Sequence, residues 1–139
     1  MLLLVLLALL TRPDPTLTPG HTRPVTLHEL CTPGSSANAR HVSSATKRQV
    51  FARYHVTPRP GAYEVDHLIS LELGGSNDLE NLWPQPYHGA LNAHDKDQLE
   101  NQLHALVCAG TVPLDEAQRA IATDWVAAMR RYGRKAAPR

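Results

Sequence analysis

The side chains that could do chemistry concentrate in residues 63–97, YEVDHLISLELGGSNDLENLWPQPYHGALNAHDKD. A carboxylate and an imidazole stand side by side at Asp66 and His67. An imidazole with an ordinary pKa of roughly 6.5 can take a proton from water near neutral pH, which makes His67 a candidate general base. Asp66 is a candidate metal ligand, because carboxylate oxygen suits Mg²⁺ or Mn²⁺, with Zn²⁺ or Ni²⁺ as further candidates. A metal held there would offset the charge that develops on an attacked phosphate. One constraint follows from strand geometry. Neighbouring strand residues point to opposite faces, so Asp66 and His67 converge on one phosphate only at a twist, a bulge or a strand edge.

The elements that must position these groups follow from the pattern around them. Residues 62–71 read as an apolar strand through Val65, Leu68, Ile69 and Leu71. Gly74 and Gly75 call for a tight turn with positive φ. Residues 79–83 return as a short second strand, stopped by Pro84 and Pro86. A long helix is expected over 89–107, with Leu99, Leu103, Leu106 and Val107 on its buried face. A second helix over 114–131 repeats apolar residues at three and four, from Leu114 through Ile121 and Trp125 to Met129, and packs on the first. Upstream, Ser43 or Ser44 caps a basic helix over 44–55. Five prolines between residues 13 and 33 make 12–43 an extended, loop-rich arm, with Val25 to Leu30 as a short strand or turn.

Asp-His on a strand, the Gly-Gly turn, the Asn81-Leu82-Trp83 segment and the polar helix start at Asn92, His94 and Lys96 form a strand–strand–helix unit. This unit resembles the HNH endonucleases, the ββα-metal nucleases, in a small form that reads DHLISLELGGSN, NLWPQ and then NAHDKDQLE. The likeness is close over 64–100 and looser over 103–125, so it covers under half of the chain. It implies an α+β fold with a ββα-metal core, a preceding short helix and a C-terminal helical hairpin. It also implies a divalent metal cofactor and DNA as the partner, gripped by its phosphate backbone. Asn81 matches the family's middle Asn and joins His67 in the catalytic set, bracing the turn that holds the base. His88, Asn92 and His94 compete for the third motif position. Asn92 lies about 20° from Leu99 on a helical wheel and His94 about 140°, so Asn92 is taken as the second metal ligand. Lys96, one turn on, is expected to hold substrate phosphate. The Cys-x-x-Cys pairs that bind structural zinc in many HNH proteins are missing, and the interval from Asn81 to Asn92 is longer than usual.

Composition frames these expectations. At 139 residues the length suits one core. Aromatics are 5% of residues against 42% hydrophobic, so that core must be aliphatic. The net charge of +1 hides a segregation: residues 40–59 carry five bases and no acid, 60–129 eleven acids and two bases, and 130–139 five bases. Basic flanks around an acidic site suit a phosphate backbone, although charge pattern alone more often marks a solvated surface. Residues 1–11 begin MLLLVLLALL, the length of a signal-peptide h-region and too short for a stable membrane span. Export is the favoured reading, with a short anchor or a buried segment as alternatives and a cytoplasmic protein still open. Two cysteines, Cys31 and Cys108, then suggest a disulfide worth roughly 4 kcal/mol. The expected organisation is a signal or hydrophobic segment over 1–11, the arm over 12–43, the HNH-like domain over 44–131 and a basic tail over 132–139. Beside the endonuclease stand two other expectations, a non-catalytic nucleic-acid-binding module on the same scaffold and a small exported, disulfide-stapled domain.

Overall fold

The computed structural model describes residues 11–133. The expected signal segment, apart from Thr11, and the basic tail beyond Gly133 lie outside the described residues. Within them the chain is mixed α+β, with five helices and one two-stranded antiparallel sheet. No helix among the described residues is long and apolar enough to cross a membrane.

Strand β1 (Tyr63–His67) pairs with β2 (Leu82–Pro86) without a bulge, from Tyr63 opposite Pro86 to His67 opposite Leu82. The sequence suggested a longer β1 and a tight turn. Instead β1 stops at His67, and residues 68–81 form a long loop containing 3₁₀ turns at Leu71–Leu73 and Leu79–Asn81. The prolines expected to end β2 lie inside it. A two-stranded sheet has only edge strands, where a missing N–H breaks no second ladder. The two glycines answer different demands. Gly74 is left-handed at φ 82°, whereas a Cβ on Gly75 would lie 1.7 Å from the Ile69 carbonyl oxygen. Only glycine permits that approach.

The N-terminal arm is not extended. Thr26 and Glu29 form a capping box that starts a short helix, α1 (Leu27–Leu30), where a strand or turn was expected. Helix α2 (Ser35–Ala39) follows a left-handed Gly34, and α3 (Ser44–Arg53) is capped by Ser43. Residues 18–23 stitch the arm to the long loop. Thr22 bridges Gly75, Gly20 N–H donates to the Glu80 carbonyl, and the Arg23 guanidinium donates to the Leu71 and Gly75 carbonyls at 3.0 and 2.6 Å.

Helix α4 (Ala93–Cys108) and helix α5 (Leu114–Tyr132) form the expected hairpin. Leu99, Leu103 and Val107 bury against Ala117, Ile121 and Trp125. Each fully buried side chain of this kind contributes about 1.5–3 kcal/mol relative to exposure. Helix α5 breaks at Asp124, whose backbone leaves the helical region. The Asp124 carboxylate caps the second half by accepting from Val126 and Ala127 N–H, and also from Arg12. Trp125 Nε1 donates to the Thr11 carbonyl, so the arm is docked at this break.

Cys31 and Cys108 are joined in a disulfide with Cα atoms 5.8 Å apart, tying the end of α1 to the end of α4. With a separation of 77 residues, chain-entropy arithmetic gives about 4.5 kcal/mol. Replacing both cysteines by serine is expected to lower the unfolding free energy by about 2–5 kcal/mol. Urea titration reads this directly, and an unchanged midpoint would contradict it.

Candidate metal and base site

Strand alternation puts Glu64 and Asp66 on one face of β1. Helix α4 brings up Asp97, and one carboxylate oxygen from each of Glu64, Asp66 and Asp97 lies within 4.8 Å of the others. All three line a polar pocket of about 210 Å³, together with His67, Ser70 and Arg40. Asp66 and His67 share this pocket although they are adjacent. His67 is the last residue of β1, so the two converge at a strand end.

Like charges crowd the site. Burial, then repulsion from Asp66 and Asp97, pushes the Glu64 carboxyl up to about 7. Burial and Asp66 also raise Asp97, and burial raises Glu72 on the far wall. These three oxygen ligands fit a hard divalent cation such as Mg²⁺ or Mn²⁺ better than Zn²⁺ or Ni²⁺, which favour nitrogen or sulfur. Ser70 also lines the pocket, and its buried hydroxyl has no protein hydrogen-bond partner.

His67 is buried, which lowers its pKa, and its Nε2 lies 3.0 Å from Asn77 Oδ1. The Asn77 amide is held by two backbone groups. Its Nδ2 donates to the Ala39 carbonyl at 2.8 Å, and its Oδ1 accepts from His41 N–H at 3.3 Å. This orientation presents an acceptor to the imidazole, so Nε2 carries the proton and Nδ1 keeps a lone pair. The imidazole is thereby fixed in the tautomer a base requires, by a residue the sequence did not single out. Its signal was an Asn just after the Gly-Gly turn.

Asn81 is fully buried and spent on backbone. It accepts from Ile69 N–H and His21 N–H, and donates to the Ile69 and Ser76 carbonyls. It clamps the loop that leaves His67 and is absent from the pocket wall. That matches the bracing role expected of it and leaves it no free group for substrate.

Two expected assignments do not fit the geometry. Asn92 is the N-cap of α4: its Oδ1 accepts from His94 and Asp95 N–H, and its Nδ2 donates to the Gly89 carbonyl. The helix begins one residue later, so a wheel drawn through Asn92 did not describe its direction. Lys96 was expected to hold phosphate, but it is 0% exposed. Its Nζ donates to Asp66 at 2.7 Å, to the His67 carbonyl at 2.7 Å and to Glu100 at 2.5 Å. All three ammonium donors are therefore used. Burial alone would lower the Lys96 pKa, yet Asp66 and Glu100 outweigh it and keep the ammonium charged. His88 and His94 are exposed, and neither lines the pocket.

Neither Glu64 nor Asp97 is assigned a role by the sequence, where Asp97 reads as helix surface, yet both carry a signal. Glu64 is two residues from Asp66, the same-face interval of a strand. Asp97, Glu100 and Asn101 recur at three and four along α4, on a face beside its apolar stripe, and all three line the pocket. A second cluster, Cys31, His104 and Cys108, has its two sulfurs joined and offers a metal only an imidazole.

The chain matches no family model, no curated protein and no solved structure.

Replacing Lys96 by methionine leaves Asp66 and Glu100 without their shared cation. The expected cost is about 3–5 kcal/mol of stability, measured by urea unfolding. A loss below about 1 kcal/mol, the range of an exposed pair, would mean that the ion pairs are solvated.

Proposed function

We propose that this chain is a metal-dependent endonuclease that hydrolyses phosphodiester bonds in DNA with low sequence specificity, on an HNH-type ββα-metal core. One observation carries the reading: an imidazole held as an Nδ1 base by the Asn77 amide shares a pocket with three converging carboxylates. The β1–β2–α4 order is compatible with that core. Basic residues before β1, among them Lys47, Arg48 and Arg59, suit a phosphate backbone.

Glu64, Asp66 and Asp97 would hold the divalent metal, which when bound supplies positive charge against the phosphate oxygens and leaving oxygen. The protein's own part is proton transfer and positioning. His67 Nδ1 accepts a proton from water as the water oxygen bonds to phosphorus, and the ester oxygen on the opposite side departs with the electron pair of the broken P–O bond. Asn77 accepts from Nε2–H throughout and steadies the imidazolium that forms. Asn81 keeps the strand end from which His67 projects in place.

Supercoiled plasmid incubated with the purified chain and Mg²⁺ or Mn²⁺ is expected to be nicked, and EDTA to prevent it. His67→Ala should lower the rate at least about 100-fold. Plasmid left intact with every divalent metal, but retarded on a gel, would replace this reading with a non-catalytic binding module.

Asn77→Ala provides a separate check on the tautomer. It removes the acceptor from Nε2, together with the bonds to residues 39 and 41, and leaves His67 itself in place. A slowing of about 10-fold or more in nicking is expected, with the thermal midpoint lowered by the lost bonds. An unchanged rate would show that Asn77 does not set the base.

A further inference from the structure

With Lys96 enclosed, the pocket needs another cation to meet a phosphodiester. Arg40 is exposed, lines the pocket beside Glu64, Asp66 and His67, and has no side-chain hydrogen-bond partner among the described residues. It sits at the C-terminal end of α2, and its place relative to the base is determined by its two neighbours. The Ala39 carbonyl accepts from Asn77, and His41 N–H donates to it. The amide that orients His67 therefore also clamps the backbone on both sides of Arg40. Upstream, the Cys31–Cys108 disulfide anchors the same segment to α4.

We propose that Arg40 is the residue of this chain that grips the phosphodiester being cut, and that the arm segment over 35–41 is one wall of the substrate site. The assignment rests on the nuclease reading of the pocket. A guanidinium is planar, always charged, and presents paired donors that match two phosphate oxygens. Because it lines the same pocket as the carboxylates, a phosphate there would meet both the metal-binding groups and a cation. Its electrostatic reach is visible in the site itself, since Arg40 opposes the upward shifts of Glu64 and Asp97. The other basic side chains of the arm lack this placement, because none of them lines the pocket.

The experiment measures binding apart from cleavage. Fluorescence anisotropy of a labelled DNA duplex is followed across a salt series, in EDTA and in Ca²⁺. The parent chain is compared with Arg40→Ala, Arg40→Lys and Arg119→Ala. Arg119 pairs with Asp115 on α5, does not line the pocket, and removes the same unit of charge. Arg40→Ala should weaken binding about fivefold or more and reduce the slope of log K against log salt by about one phosphate contact. Arg40→Lys should recover part of the affinity, and Arg119→Ala should change little. Equal weakening by Arg40→Ala and Arg119→Ala would overturn the proposal, as would a parent that binds no DNA. A parent that binds through Arg40 but never cuts would sink the nuclease reading and leave the phosphate contact standing.

Discussion

A single buried ammonium holds this molecule's working parts in register. Lys96 leaves the first turn of α4 and donates to Asp66, to the His67 carbonyl and to Glu100. A charge so enclosed is tolerable only if its donors are met by oppositely charged or carbonyl oxygens. The contact therefore fixes the end of β1 against the start of α4, two elements about thirty residues apart. Once that junction is set, the next residue on the helix, Asp97, faces Glu64 and Asp66 across the pocket. The carboxylates brought together there repel one another, which adds to the burial that raises Glu64.

The arm contributes as much to the site as the core does. Its residues 39 and 41 hold Asn77, Asn77 holds the imidazole, and residues 18–23 hold the loop in which Asn77 lies. Apart from the bond between Asn77 and His67, each link is a hydrogen bond to backbone, which specifies position without specifying side-chain type. A sequence reading that looks for motif residues passes over such links.

What was legible in the sequence follows from this division. The hairpin of α4 and α5 announced itself by apolar spacing, and Cys31 with Cys108 by count alone. Asp66 and His67 were legible by chemistry, but the strand end that lets them converge was not. It depends on Asn81 and Gly75 closing the loop after His67. Proline content marks the arm as loop-rich, which it is over 12–26, but does not reveal that Thr26 and Glu29 build a helix start between prolines. Lys96 was misplaced for a different reason. The i,i+4 pair with Glu100 was visible, but surface and buried ion pairs have the same spacing. Asn92 was misplaced because a cap residue lies just off the helix whose wheel was applied to it.

The disulfide has a topological consequence. Cys31 and Cys108 close a covalent ring, and Arg40, Glu64, Asp66, His67, Asn77, Asn81, Lys96 and Asp97 all lie inside it. Helices α1 and α5 lie wholly outside. A protease that cuts once within the exposed stretch between α3 and β1 would open the ring and leave two chains joined at sulfur. The hydrogen bonds from residues 39 and 41 to Asn77, and those from residues 18–23 to the long loop, would still join the two halves as they do in the uncut chain. The molecule can lose the continuity of its backbone without losing the connection between the parts of its site.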